Sequence, residues 1–172
     1  MKPIEELVAE FHNIVTDAIQ RYVIDDGKSV AAIAILFSGG NDSTVLAHLF
    51  RTRASHAIHI NTGIGIEQTR EFVRTTCADW KLPLIEKTPP AGSTYRELVL
   101  DQGFPGPGHH WKMYQRLKER GLRAARRDLV ARPRSERVVF LAGRRRDESK
   151  RRMNIPEMER SGSTVWVSPL AN

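Results

Sequence analysis

Between residues 36 and 44 the chain reads LFSGGNDST: a short apolar run stops at Ser38, Gly39 and Gly40 and continues at once with Asn41, Asp42, Ser43 and Thr44. Two adjacent glycines carry no Cβ, so the backbone there can come close to a ligand. If the polar residues open a helix, the amides of its first turn and the positive end of its dipole point toward the hydroxyls of Ser38, Ser43 and Thr44. That donor set suits an anion, phosphate above all. A simple helix cap needs neither two glycines nor three hydroxyls. Neither the GxxxxGK[ST] spacing nor the GxGxxG fingerprint is present. Two more polar, glycine-bearing stretches invite the same chemistry, Asn61-Thr62-Gly63 and Gly143-Arg144-Arg145. The second opens a cationic run to Arg152 whose guanidinium groups can fork onto phosphate oxygens, although such a run is often merely solvated.

These stretches act together only if the fold gathers them. Val30 to Phe37 is an apolar run of strand length, rich in Ile and Val, as expected of a strand buried on both faces. Further strands are expected at 56–60, 83–87, 137–142 and 165–167, and helices at about 3–22, 43–53, 67–80, 95–101 and 110–130. Strands separated by helices imply crossovers, hence an α/β fold: a doubly wound, Rossmann-like, mostly parallel sheet with helices on both faces. Ligands of such sheets bind outside the carboxyl ends of the strands, where all three glycine-bearing turns fall. The length of 172 residues suits one domain, 1–172, with a basic helical insertion at about 104–134.

Composition narrows the partners. With 40% hydrophobic and 27% charged residues, and no apolar run near the roughly 20 residues of a membrane span, a cytoplasmic protein without a membrane partner is expected. The acidic, amphipathic N-terminus is not that of a signal peptide. The single Cys77 excludes an internal disulfide or a site built from several cysteines of this chain, and is expected as a buried side chain on the 67–80 helix. The net charge of +7 is uneven: residues 111 to 152 hold 16 Lys and Arg against 5 Asp and Glu. Lys112, Arg116, Arg120, Arg123 and Arg127, with Trp111 and Tyr114 for stacking, suit a nucleic-acid backbone, though such a face is more often solvated. His109 and His110 are candidate substrate or nucleic-acid contacts. As adjacent residues with no cysteine or acidic cluster nearby they make a poor metal pair.

The string SGGNDS matches the SGGxDS "PP-loop" of the adenine nucleotide α-hydrolase-like superfamily, whose members cleave ATP between the α and β phosphates. HINTGIGIEQTREFV, residues 59–73, resembles the strand-end pattern of phosphoadenosine phosphosulfate (PAPS) reductases, and LAGRRRDESKRR, 141–152, resembles a segment shared by PAPS reductases, the small subunit of ATP sulfurylase and the DNA phosphorothioation ATPases. The closing WVSPLAN is similar to the strand that precedes a C-terminal helical region in that family, a region expected to be missing here. The resemblance implies ATP and Mg²⁺ as cofactors and no iron–sulfur cluster, because His109, His110 and Met113 stand where cluster cysteines begin. Reduction of sulfonucleotide is not expected, since the family's C-terminal cysteine is absent.

On that resemblance, residues Ser38, Gly39, Gly40, Asn41, Asp42, Ser43 and Thr44 would hold pyrophosphate, and Asn61, Thr62 and Gly63 would face the nucleoside. Gly143, Arg144, Arg145 and Arg152 would clamp phosphates. Asp42 and Arg145 are the expected catalytic residues, Asp42 ordering the loop or binding Mg²⁺ through water, while Asp147 and Glu148 orient the arginines. The expected function is an ATP pyrophosphatase or nucleotidyl-transfer enzyme of sulfur or nucleic-acid modification, with sulfonucleotide binding or reduction, or a non-catalytic nucleic-acid-binding module, as alternatives. A nucleic-acid or protein acceptor at 110–134 and a homodimer stay open as partners.

Overall fold

The computed structural model describes residues 2–171, apart from the side chains of His110 and Arg151. At its centre two apolar runs lie side by side. Strand β1, Ser29–Leu36, pairs in parallel with β4, Glu136–Ala142, from Ser29 against Glu136 to Leu36 against Ala142, with one slip between Val30 and Ala32. Every residue of β4 is buried, which accounts for its apolar run from Val138 to Ala142. β2 (His56–Ile60) and β3 (Leu84–Lys87) extend the sheet beyond β1, and β6 (Thr164–Val167) extends it beyond β4. β5 (Met158–Ser161) is the sole antiparallel strand among the described residues, giving the order β3-β2-β1-β4-β6-β5.

The period-two alternation of the strands decides which helix each residue meets. Ile35, Val139, Leu141, Val165 and Val167 pack with Phe11, Val15, Leu46, Phe50 and Val73. Those partners belong to α1 (Ile4–Ile19), α2 (Asn41–Phe50) and α3 (Glu67–Asp79). Ala32, Ala34, Ile58, Val138 and Phe140 face the other way, onto Leu122, Ala125 and Leu129 of α5 (His110–Leu129). Gly121 lets α5 lie close to the sheet, because a Cβ there would stand 2.8 Å from the Ile60 side chain. The short α4, Tyr95–Gln102, precedes α5. Helices therefore cover both faces, as the sequence pattern requires. Among the described residues no helix is long and apolar enough to cross a membrane.

Three local differences from the sequence reading have physical causes. The first helix is α-helical to Ile19 and then widens into a π turn, Gln20–Ile24, instead of running unchanged to Tyr22. This turn brings the Tyr22 carbonyl and Asp26 to the Arg137 guanidinium at the start of β4. α2 begins at Asn41 rather than Ser43, because the helix starts directly behind Gly40. β5 went unread: Glu159, Arg160 and Ser161 are exposed polar residues of an edge strand, turned back on β6 at Gly162 with φ +59°.

Candidate functional site

The glycine turn after β1 uses its two glycines differently. Gly39 has φ +84°, and a Cβ there would stand 2.7 Å from Thr69 Cγ2 and 3.1 Å from Val73 Cγ2, so this glycine seats the loop on α3. Gly40 has ordinary extended backbone, and a Cβ there would meet only Ser38 Oγ at 3.6 Å. Gly40 is also the N-cap of α2, and no side chain among the described residues caps it. Ser43 and Thr44 donate their hydroxyls to the Gly40 carbonyl at 2.8 and 3.0 Å, while Ser38 and Ser43 hydroxyls are hydrogen-bonded at 3.0 Å. The hydroxyls thus brace the turn, and the first-turn amides of α2 are left to whatever sits before it. From the other side Gly143 presses against the loop: a Cβ there would be 3.0 Å from both Asp42 C and Ser43 N.

A cleft of about 670 Å³ opens at the carboxyl ends of β1, β2 and β4. Of the expected site residues, Ser38, Gly40, Asn41, Asp42, Ser43, Asn61, Thr62, Gly143, Arg144, Arg145 and Arg152 line it. Gly39, Thr44 and Gly63 do not, and neither do His109, Lys112 and Arg116; the side chain of His110 lies outside the described residues. Gly63, at φ +81°, donates its amide to Asn61 Oδ1 at 3.0 Å and so shapes the turn behind the wall.

Charges in the cleft are interlocked. Arg145 Nε donates to Asp42 at 3.0 Å across 103 residues of sequence and lies 3.8 Å from Asp147. Arg152 pairs with Glu148. Arg144 lies 3.7 Å from Glu159 and stacks over the Trp166 ring at 5.2 Å, and burial lowers its guanidinium pKa below the usual value. Asn61 donates to Glu86 at 3.0 Å and accepts from Arg70 at 3.2 Å, so its amide ties β2 to β3 and α3. Hydrogen bonds from Arg74 hold the Glu86 carboxyl below its ordinary range.

Several cleft residues escaped the sequence reading. His59 is 7% exposed, with Nδ1 2.9 Å from the Phe37 carbonyl. Thr69 and Arg70 come from α3, Lys118 and Leu122 from α5, and Trp166 from β6, while Tyr114 of α5, expected above as a stacking residue, lines the cleft as well. The readable signal was on α5, where a lysine interrupts an apolar stripe at four-residue spacing, Tyr114-Lys118-Leu122.

Residues 32–172 match the model of the phosphoadenosine phosphosulfate reductase domain. The chain belongs to that family. In the mouse, Mus musculus, cytoplasmic tRNA 2-thiolation protein 1 is 42% identical over 62 residues, 31% of this chain and 15% of that protein. Among solved structures, the PAPS reductase of Candida auris in its phosphate complex superposes with a TM-score of 0.56 at 21% identity, covering 81% of this chain and 66% of that one. The NH3-dependent NAD synthetase of Campylobacter jejuni in complex with nitrate superposes with a TM-score of 0.57 at 13% identity, covering 80% and 56%. At these identities the two structures establish the shared fold, and the chain spans less than two thirds of each of the three relatives.

Proposed function

We propose that this PAPS reductase-family domain binds ATP with Mg²⁺ in the cleft, cleaves it between the α and β phosphates, and passes the adenylyl group to an acceptor of sulfur or nucleic-acid modification. The observation that carries this reading is the pairing of Asp42 with Arg145 beside a helix start that no side chain caps. In this reading the α2 amides hold the β,γ-pyrophosphate. Arg145, already anchored by Asp42, faces the charge that grows on the departing group. Arg144 and Arg152 hold further phosphate oxygens, and Asn61 and Thr62 shape the nucleoside end of the cleft.

Asp42 suits Mg²⁺ because that ion is commonly held by one or two carboxylates together with substrate phosphates. No group of three or more His, Cys, Asp or Glu that could hold a metal occurs among the described residues, so the phosphates would complete the coordination. When bound, the ion would neutralise phosphate charge. Cys77 is a poor candidate for thiol chemistry: it is 2% exposed, and burial pushes its thiol up to about 11.

The exposure of Lys112, Arg116, Arg120, Arg123 and Arg127 on the outer face of α5, together with the tRNA-thiolation name of the mouse relative, favours a nucleic acid over a protein as the acceptor. Incubation with labelled ATP, Mg²⁺ and tRNA, DNA or sulfide tests the reading. Pyrophosphate together with adenylylated acceptor, or with the AMP that a nucleophile later displaces from it, is the expected outcome, and ADP with phosphate, or intact ATP throughout, would refute it.

A further inference from the structure

Among the described residues five cationic side chains line the cleft, and four of them already hold a carboxylate: Arg70 with Glu67, Arg144 with Glu159, Arg145 with Asp42, and Arg152 with Glu148. Lys118 is the exception, with no carboxylate partner among the described residues; its ammonium lies 4.3 Å from the centroid of the Tyr114 ring. The adjacent acid on the helix, Glu119, is engaged elsewhere, accepting from Gln115 at 2.7 Å and lying 3.8 Å from Arg123. Lys118 is half-buried, between Tyr114 and Leu122, on the stretch of α5 that Gly121 brings against Ile60.

An anion that approaches one of the paired arginines must share it with a carboxylate. At Lys118 an anion meets no competing carboxylate among the described residues and gains the full attraction of the ammonium. A compact ammonium with three donors suits one corner of a tetrahedral oxyanion. α5 covers the face of the sheet opposite α2, so Lys118 and the glycine turn reach the same cleft from two sides.

We infer that Lys118, seated over Tyr114, forms a second anion subsite, which receives a phosphate or sulfate group of the co-substrate while the glycine turn holds the nucleotide's pyrophosphate. The division of labour presupposes the ATP-binding reading above, but the oxyanion subsite can be tested without it. The cleft would then hold two anions at once, as transfer from a nucleotide to an anionic acceptor requires.

The test uses calorimetric titration at low salt with two probes, inorganic phosphate and α,β-methylene-ATP with Mg²⁺. Lys118→Met keeps the packing on Tyr114 and removes the charge, Lys118→Arg keeps the charge, and melting curves establish that both fold. Wild-type protein saturated with the analogue should still bind phosphate, Lys118→Met should weaken that binding about tenfold or more, and Lys118→Arg should largely restore it. The affinity of Lys118→Met for the analogue itself should stay within about twofold of wild type. A parallel loss of analogue affinity would assign Lys118 to the nucleotide's own phosphates and overturn the subsite, as would phosphate binding that is absent from wild type or indifferent to Lys118→Met. If wild type fails to bind the analogue, the ATP reading falls and free protein decides. Phosphate binding lost in Lys118→Met but kept in Gly40→Val upholds the subsite, and any other pattern removes it.

Discussion

At the start of α4 the helix closes its own end. Thr94 Oγ1 accepts the Glu97 amide at 3.3 Å, and the Glu97 carboxylate reaches back to the Thr94 amide at 2.9 Å, a reciprocal capping box. Hydrogen bonds from the Thr94 hydroxyl and amide hold the Glu97 carboxyl down to about 2. At the start of α2, by contrast, Gly40 offers no side chain, and the neighbouring hydroxyls of Ser43 and Thr44 bond backward to the Gly40 carbonyl. The same orphan amides thus meet two fates. One helix start satisfies them with its own side chains and gains stability; the other leaves them facing a cleft, where the proposed nucleotide would meet them.

The sharpest way to break this contrast is to fill the space before α2. Gly40→Val should fold, since its backbone is extended and an added Cβ meets only Ser38 Oγ. Its ATP affinity should fall by about a hundredfold or more, the loss of roughly two charge-assisted contacts. Calorimetry on a protein with an unchanged melting curve checks it, and unchanged affinity would close the open end of α2 to nucleotide. Next in size is Arg145→Ala. Single-turnover pyrophosphate release should slow by on the order of a hundredfold, about 3 kcal/mol, more than binding weakens. Asp42→Ala should be non-additive with it, because the two side chains form one ion pair. Strictly additive losses would detach the arginine from the chemistry.

Gly39→Ala, one residue before Gly40, should act on stability instead. A positive φ and a Cβ pressed onto Thr69 and Val73 should cost about 2–3 kcal/mol, read as a fall in denaturation midpoint. Thr94→Ala at the closed helix start should cost about 1 kcal/mol and leave ATP binding untouched. The smallest effect is in pH. Because folding lowers the Glu97 carboxyl from its ordinary 4.5 to about 2, its contribution is complete above about 4.5 and fades as pH falls toward 2. The melting gap between wild type and Glu97→Gln should therefore be widest near neutrality and shrink in that acid window. A gap independent of pH would show that the carboxylate is not what caps α4.

Sequence carried the sheet well where burial writes a pattern: β2 at 56–60 is found where its apolar residues stand, and β4 could hardly be read otherwise. It failed at β5, whose residues are mostly polar because the strand lies at an exposed edge and takes its place from the Gly162 turn and from β6. The glycine turn was legible because its residue types and spacing are local. The approach of Arg145 to Asp42 was legible because both follow strands whose carboxyl ends must share a side of a parallel sheet. Lys118 and Trp166 were not, since their places depend on which face of α5 meets the sheet and on β6 lying next to β4. Gly63 and Thr44 have the right types for ligand contact, yet they serve the turns behind the wall.

The central pairing of β1 with β4 has a consequence in time. The glycine turn at residues 38–44 is synthesised about a hundred residues before the strand that must lie beside it, and the helices and strands between them leave the ribosome first. Until β4 arrives, one edge of β1 is open and Asp42 has no Arg145 to meet, so a nascent chain can display the whole SGGNDS motif without owning a site. Closure of so long a loop makes the last docking step slow and leaves an unpaired apolar strand exposed meanwhile. On the proposed reading, in which the nucleotide needs both the glycine turn and Arg145, its binding would act on the growing chain as a late latch, drawing forward the finished molecule rather than guiding its beginnings.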